Sequence, residues 1–487
     1  MISKNFLKSS FIYTVIGALP LASSVILLPF YTNFLETPDF GILAIYISFT
    51  FLIQIFVNFG FDTYTGIHFY EYKDNKEKLR EYIGTVVISL LILGAFFTAL
   101  SLLVGKISFG ILFQQKEISF FPFGFMSVLT AICNSFFKTY TGLLINQQRP
   151  MRFFWVNLFN FILTIVISLA GLFLYPHTLI GPMWGRLLSG VGIFLLAFYF
   201  FYAEFGLAFQ TKLLRGIFNF CLPIFIFFLM SWVLSYIDRY IINYFLTTSD
   251  VGVYDFAVKC TLLIDFLLMG LSNSVAPKIY KIWTDEKTGY SSTMEVNRYY
   301  NAFTAVTVLM IALTILCIPI FVPMIVYKES YYAAFEFVPL LSLSFVFRGV
   351  YTMYLMPILF LKKTKVLPKI FFFSAVIQII VSILMVKQWG LMGVVWSMLI
   401  TKPIQVLFLS YESKKIFQFT FNEMKLLVMP LAYLLIVIFA DVFLREKINS
   451  IVLHAIELVL AGGMIFLVYR NEIKTLLQSL LKGSTRL

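Results

Sequence analysis

The octet Phe34-Leu35-Glu36-Thr37-Pro38-Asp39-Phe40-Gly41 returns 211 residues later as Phe245-Leu246-Thr247-Thr248-Ser249-Asp250-Val251-Gly252, with five of eight positions identical. A second echo pairs Leu179-Ile180-Gly181-Pro182-Met183-Trp184 with Leu391-Met392-Gly393-Val394-Val395-Trp396 at an offset of 212. Two echoes at nearly one offset imply that the first ~420 residues are a single unit used twice, a layout that in membrane chains marks transporters with a path between halves.

The chain is a membrane protein by composition. It is 60% hydrophobic and 13% charged, with a mean hydropathy of +0.90. A soluble chain of 487 residues needs more charge than this to stay in water. The apolar runs repeatedly reach the ~20 residues that carry a helix across a bilayer. Polar breaks divide them into 9–34, 40–61, 82–104, 118–145, 153–174, 178–202, 217–246, 251–275, 302–326, 335–361, 370–386, 390–411, 426–444 and 450–469. The 57 phenylalanines read as lipid-facing and helix-packing surface.

Loop charge tests this division. Of the 37 basic residues, 25 fall at the termini and in alternate breaks, 6 in the opposite breaks and 6 inside spans. A missed or extra helix would scramble that alternation. The richer side is predicted to be cytoplasmic, with both termini on it. Both octets then lie at outward-facing turns, where Asp39 and Asp250 read as turn and cap residues, with an ion-coupling role as the alternative.

The expected fold is an all-α polytopic membrane protein of about 14 transmembrane helices, with two parallel six-helix lobes plus two C-terminal helices. The lobes are 1–211 and 212–422, and residues 423–487 hold the two extra helices and a basic cytoplasmic tail. An even number of helices per repeat means both copies enter from the same side. The axis relating them then runs along the membrane normal. The longest break, 277–299, is expected to lie as an amphipathic segment on the cytoplasmic surface. Interior prolines Pro20, Pro29, Pro223, Pro339 and Pro357 offer bending points in the first, seventh and tenth helices.

Several function classes fall away. The net charge of +13 is spread over short loops and follows the topology, so no nucleic-acid partner is implied; attraction to anionic membrane lipids is expected instead. Cys133, Cys221, Cys260 and Cys317 lie in apolar runs without a C-x-x-C pair, and His68, His177 and His454 are scattered, so no disulfide or metal is expected. The first apolar segment is too long for a signal-peptide core. There is no G-x-x-x-x-G-K-[ST], hence no built-in ATPase. The longest outward break, between the third and fourth helices, is too short for an extramembrane catalytic domain.

The chemistry sits in charges at membrane depth, which are costly and usually face a cavity or a partner. Six basic residues qualify: Lys138, Arg186, Arg239, Lys259, Arg348 and Lys402. Lys138 and Arg348 are 210 residues apart, within one residue of the repeat register, so they occupy equivalent depths in the two copies. Arg348 is mid-span, whereas Arg239, Arg186 and Lys402 are placed either to line a cavity or to snorkel to a surface. The titratable partners are Asp62, Asp238, Asp255, Asp265, Asp441, His454 and Glu457. Asp255 and Lys259 share a helix face at i,i+4 and pair, either as a structural tie or as a pair that opens on protonation or substrate entry. Asp265 stands near mid-bilayer with no partner nearby in sequence, which makes it the leading proton or sodium candidate. Asp441 and Glu457 lie near the outer helix ends, where solvation is the default.

The stretch ending in the first octet, Asn58-Phe59-Gly60-Phe61 with the charged loop Glu71 to Glu81, and Asp238-Arg239-Tyr240-Ile241-Ile242 running into Asp250-Val251-Gly252-Val253-Tyr254 and Lys259 together carry a resemblance. The chain resembles a Wzx-type polysaccharide flippase of the multidrug/oligosaccharidyl-lipid/polysaccharide exporter superfamily. The resemblance implies a V-shaped pair of lobes around a cationic cavity in a bacterial cytoplasmic membrane. It implies transfer of an undecaprenyl-diphosphate-linked oligosaccharide to the outer leaflet, alongside polysaccharide polymerase or ligase machinery. Helices 13 and 14 would form a groove for the lipid tail.

The expected function is therefore ion-coupled flipping, with no cofactor beyond a proton or sodium ion. Lys138, Arg348 and Lys259 would attract the diphosphate, with Arg186, Arg239 and Lys402 guiding it. Asp265, Asp255 or Asp62 would couple the ion. The rivals are a multidrug exporter of the same superfamily and a membrane-embedded polysaccharide polymerase or ligase.

Overall fold

The structure is a computed structural model that describes residues 16–17, 19–113, 117–285, 290–417, 420–445, 447–472 and 474. Six of the basic residues counted in the termini and breaks, Lys4, Lys8, Lys116, Lys287, Lys482 and Arg486, lie outside the described residues, as does the start of the first expected helix. Among the described residues the chain is helical, without a strand. Eleven helices are long and apolar enough to cross a membrane. The difference from fourteen has three sources. The first expected helix is described only from residue 16, the helix Thr248–Asp285 is not among the eleven, and two expected helices run on as one segment, Thr364–Ile416.

The chain divides into two compact units, Met1–Gly252 and Val253–Leu487. The first contains α1 (Leu19–Phe34), α2 (Thr37–Asn58), α3 (Phe61–Tyr72), α4 (Lys76–Leu112), α5 (Phe125–Asn146), α6 (Pro150–Leu174), α7 (Ile180–Phe205), α8 (Thr211–Phe245) and the start of α9 (Thr248–Asp285). Its core is aromatic and aliphatic, built on Phe61, Tyr82, Leu90, Phe136, Tyr140 and Phe201. Helix α8 is fixed to α2 by the Trp232 indole, which donates to the Ser48 carbonyl at 2.9 Å.

The octets now have a structural meaning. Each begins a helix, and the two starts pack on one another. A Cβ on Gly41 would stand 2.0 Å from the Thr248 carbonyl oxygen, and one on Gly252 would stand 2.0 Å from that of Thr37. Only glycine permits that approach. The Thr37 and Ser249 hydroxyls hydrogen-bond at 2.8 Å across the same contact. Asp250 caps as expected: its carboxylate accepts from the Thr247 amide at 3.0 Å, while the Thr247 hydroxyl accepts from the Asp250 amide at 3.2 Å. This reciprocal arrangement is a capping box. Asp39 occupies the first turn of α2, where the helix dipole favours a negative charge.

The second unit continues with α10 (Tyr290–Ile325), α11 (Val338–Leu343), α12 (Val346–Phe360), α13 (Leu367–Ile416), α14 (Met429–Leu444) and α15 (Ser450–Val468). Within α13, Trp389 and Gly390 leave helical geometry, with Gly390 at φ 56°. The Ser382 and Ser397 hydroxyls nevertheless meet at 2.6 Å. Fifteen residues of straight helix would hold them ~22 Å apart, so α13 is two helices folded into a tight hairpin. Gly393 begins the second arm, and a Cβ there would lie 2.1 Å from the Met385 carbonyl oxygen. Its echo, Gly181, does the same for α6 and α7, where a Cβ would meet the Leu172 nitrogen at 2.5 Å. The second echo thus marks the tight corner of a helical hairpin in each unit.

The break expected over 277–299 is helical on both sides of its centre. Helix α9 continues through Pro277 to Asp285 and α10 starts at Tyr290; residues 286–289 lie outside the described residues. The reason is packing: Ile279 is buried, and Trp283 sits 5.2 Å from the Phe360 ring and 5.0 Å from Phe417. Pro339 likewise opens α11 and interrupts no helix, as proline tolerates the first turn.

Candidate functional site

The Asn58-Phe59-Gly60-Phe61 stretch ends α2 and starts α3. Phe59 and Gly60 both take positive φ, 48° and 85°. The break puts Asp62 in the first turn of α3, where the helix dipole stabilises its carboxylate. Asp62 reaches Lys138 of α5, Oδ2 to Nζ 3.1 Å. Next to it, the Asn58 amide donates to the Thr139 hydroxyl at 3.1 Å. The Lys138 ammonium also lies 4.4 Å from the centre of the Phe228 ring, within cation–π range.

The second unit repeats the arrangement with different residues. Arg348, in the first turn of α12, contacts Asp265 of α9, Nη2 to Oδ1 3.2 Å, and its guanidinium lies 5.8 Å from the Tyr351 ring. Lys138 and Arg348, matched by the repeat register, thus have matching surroundings. Each is held by one carboxylate, each sits over an aromatic ring, and their side chains are 42% and 40% exposed. Asp265, which has no partner nearby in sequence, finds one 83 residues away.

Lys259 is different. It pairs with Asp255 at 2.7 Å as the i,i+4 spacing predicts, but the side chains are only 16% and 4% exposed. Of the three guiding cations, Arg239 is buried, donates to the Ser235 carbonyl at 2.8 Å and stacks near Tyr236. It does not snorkel. Arg186 is half-buried, with an Nε that has no hydrogen-bond partner and Tyr31 within its field. Lys402 is half-buried.

The three carboxylates chosen as ion sites therefore hold the three cations chosen for the diphosphate: Asp62 with Lys138, Asp265 with Arg348, and Asp255 with Lys259. Protonating such a carboxylate would free its cation, and an anion arriving at the cation would free the carboxylate. The cations of the first two pairs, 42% and 40% exposed, are accessible to an arriving anion.

One expectation fails. Asp441 and Glu457 are not solvated: they are 9% and 1% exposed, and His454 beside them is 3%. Their helices bury these faces, which position near a helix end could not reveal.

A family profile described as polysaccharide biosynthesis protein matches residues 6–283. The chain belongs to the polysaccharide biosynthesis protein family. Three solved structures share the fold of this family member. "Lipid II flippase MurJ, inward closed conformation" superposes with a TM-score of 0.72 at 16% identity, covering 95% of this chain and 100% of that one. An inward-facing multidrug resistance MATE family transporter of the MOP superfamily gives 0.67 at 15% identity, covering 82% and 94%. The MATE multidrug transporter DinF-BH gives 0.57 at 14% identity, covering 86% and 97%. No functionally curated protein matches by sequence. The polysaccharide biosynthesis family member is thus a multi-pass membrane protein with the fold shared by these solved structures.

Proposed function

We propose that the chain is a flippase that moves a polyprenyl-diphosphate-linked oligosaccharide across a bacterial cytoplasmic membrane by ion-coupled alternating access. The observation that carries this reading is the matched pair of accessible cations, Lys138 and Arg348, each held by a carboxylate inside an apolar helix array. A diphosphate is the kind of ligand that two such cations attract, and a carboxylate that changes partner is the kind of group that couples a cation. The six-helix repeats 1–211 and 212–422 act as the moving lobes, with 423–487 appended. The membership in a polysaccharide biosynthesis family and the likeness to a lipid II flippase support the substrate class.

The cycle runs by differential affinity, since an ion drives a conformational change only if it binds the two states unequally. With the cation engaged by diphosphate, Asp62 or Asp265 is released to take up a proton or sodium ion. Loss of the substrate restores the ion pair. Arg186, Arg239 and Lys402 extend the cationic path, and the chemistry requires no covalent step.

Lys138→Ala and Arg348→Ala test the reading in a strain dependent on this chain, with protein level controlled. Each is expected to lower surface glycan at least ~10-fold, equivalent to ~1.4 kcal/mol in the limiting step. Normal glycan in both variants would overturn the assignment. The likeness to multidrug transporters favours a second reading, drug export. Drug sensitivity on deletion, with surface glycan intact, would select it.

A further inference from the structure

The last two helices hold ionisable side chains that belong to none of the pairs above. On α15 the His454 Nδ1 and Glu457 Oε2 atoms are 3.1 Å apart. On α14 the Asp441 Oδ1 lies 3.6 Å from Arg445 Nη1. Asp441, His454 and Glu457 are all buried, and α14 packs on α15, so the two helices enclose these side chains together. Glu457 Oε1 and the Tyr433 hydroxyl are buried without a hydrogen-bond partner, and Tyr433 lies in the field of Glu457.

Among the described residues, Arg445 and His454 are the groups that pair with Asp441 and Glu457. Glu336, in the exposed turn before α11, adds a further carboxylate within reach of Asp441. Helix α10, which packs on α15, carries no charged residue between Tyr300 and Ile325, only Cys317. The charged residue of α12 is Arg348, already engaged by Asp265. Lys425, in the turn leading into α14, is engaged by Glu472 at 2.5 Å.

Glu336 is exposed to the medium, so among the buried groups two carboxylates, Asp441 and Glu457, face the one guanidinium of Arg445. With a neutral imidazole the cluster keeps one negative charge in excess. Such a charge buried between membrane helices is costly. One added proton, on the imidazole or on a carboxylate, brings the cluster to neutrality. Imidazole is the side chain whose ordinary titration falls between pH 5 and 8. Asp441 and His454 are each about four residues from a helix end, ~6 Å along the axis, so the medium at that end is close enough to exchange the proton.

We propose that Asp441, His454 and Glu457 form a proton-binding site in the C-terminal helix pair, separate from the lysine–aspartate and arginine–aspartate pairs and taking up one proton per chain. The proton is assigned to the cluster and to no single residue. The repeats have no counterpart of this helix pair, so the site adds a proton-sensitive element outside the duplicated lobes.

The test uses the full chain in lipid nanodiscs without substrate, so its failure is separate from any failure of the flippase reading. Infrared difference spectra between pH 8 and pH 5 read protonated-carboxyl and imidazole bands. Glu457→Gln, His454→Gln and Asp441→Asn are each expected to remove a shared component of the wild-type spectrum, which Asp62→Asn and Asp265→Asn retain. Should one variant fail to accumulate, the other two read the same component. Wild-type spectra from all three cluster variants, or loss of the component only in Asp62→Asn or Asp265→Asn, would overturn the proposal.

Discussion

Gly41 and Gly252 bring two helix starts into backbone contact, each standing where a Cβ would come 2.0 Å from a carbonyl oxygen of the other's first turn. The same octet, used twice, therefore meets itself. The hydroxyls of Thr37 and Ser249 close the contact at 2.8 Å.

Alanine at either glycine must push the two helices apart. Gly41→Ala and Gly252→Ala are each expected to destabilise the protein by ~1–3 kcal/mol, as overpacking does. Gly110→Ala is the control, since a Cβ there meets nothing within 4 Å. Thermal unfolding of the purified chain in detergent measures the difference. Equal midpoints for all three would contradict the close approach.

The Asp255–Lys259 pair is sealed, so it is expected to act as a structural tie. Removing one partner of a buried pair costs ~3–5 kcal/mol, while replacing both with apolar residues of similar size is close to neutral. Asp255→Leu and Lys259→Met should each reduce accumulation in the membrane, and the double variant should recover it. A double variant no better than the singles would show that the pair does more than hold the helix.

The two accessible pairs should behave otherwise. Asp62→Asn and Asp265→Asn leave cations that are already 42% and 40% exposed, so stability should change by under ~1 kcal/mol. Surface glycan should nevertheless fall in both. Quantitative glycan blots beside unfolding curves separate the two effects, and a loss of glycan that merely tracks a loss of protein would refute the coupling role.

Ser382 and Ser397 report directly on the hairpin in α13. Their replacement by cysteine is expected to give a crosslink on mild oxidation, detected by mass spectrometry of the purified chain. Residues on a straight helix with that spacing could not react. Gly393→Val in the same hairpin should prevent stable accumulation, because the side chain has no room beside Met385.

Much of this protein is legible along the chain. The length of the apolar runs dictates membrane helices, because a bilayer leaves the backbone few other ways to satisfy its polar groups. The Asp255–Lys259 contact follows from helix geometry alone, since four residues return to the same face. The Thr247–Asp250 cap is equally local. The echoes are visible in the octets and in Gly181 and Gly393.

Other features needed the fold. The partners of Lys138 and Arg348 are 76 and 83 residues distant, and no periodicity connects them. Depth alone could not say that Lys259 is sealed while Lys138 is open. It also misread Asp441 and Glu457, which sit near helix ends yet are covered by neighbouring helices. Sequence by itself determined which residues are charged and how far each lies along its helix, because those are properties of one segment. Tertiary structure alone decided which charges meet and which are reached by water, because burial and pairing arise when separate helices pack.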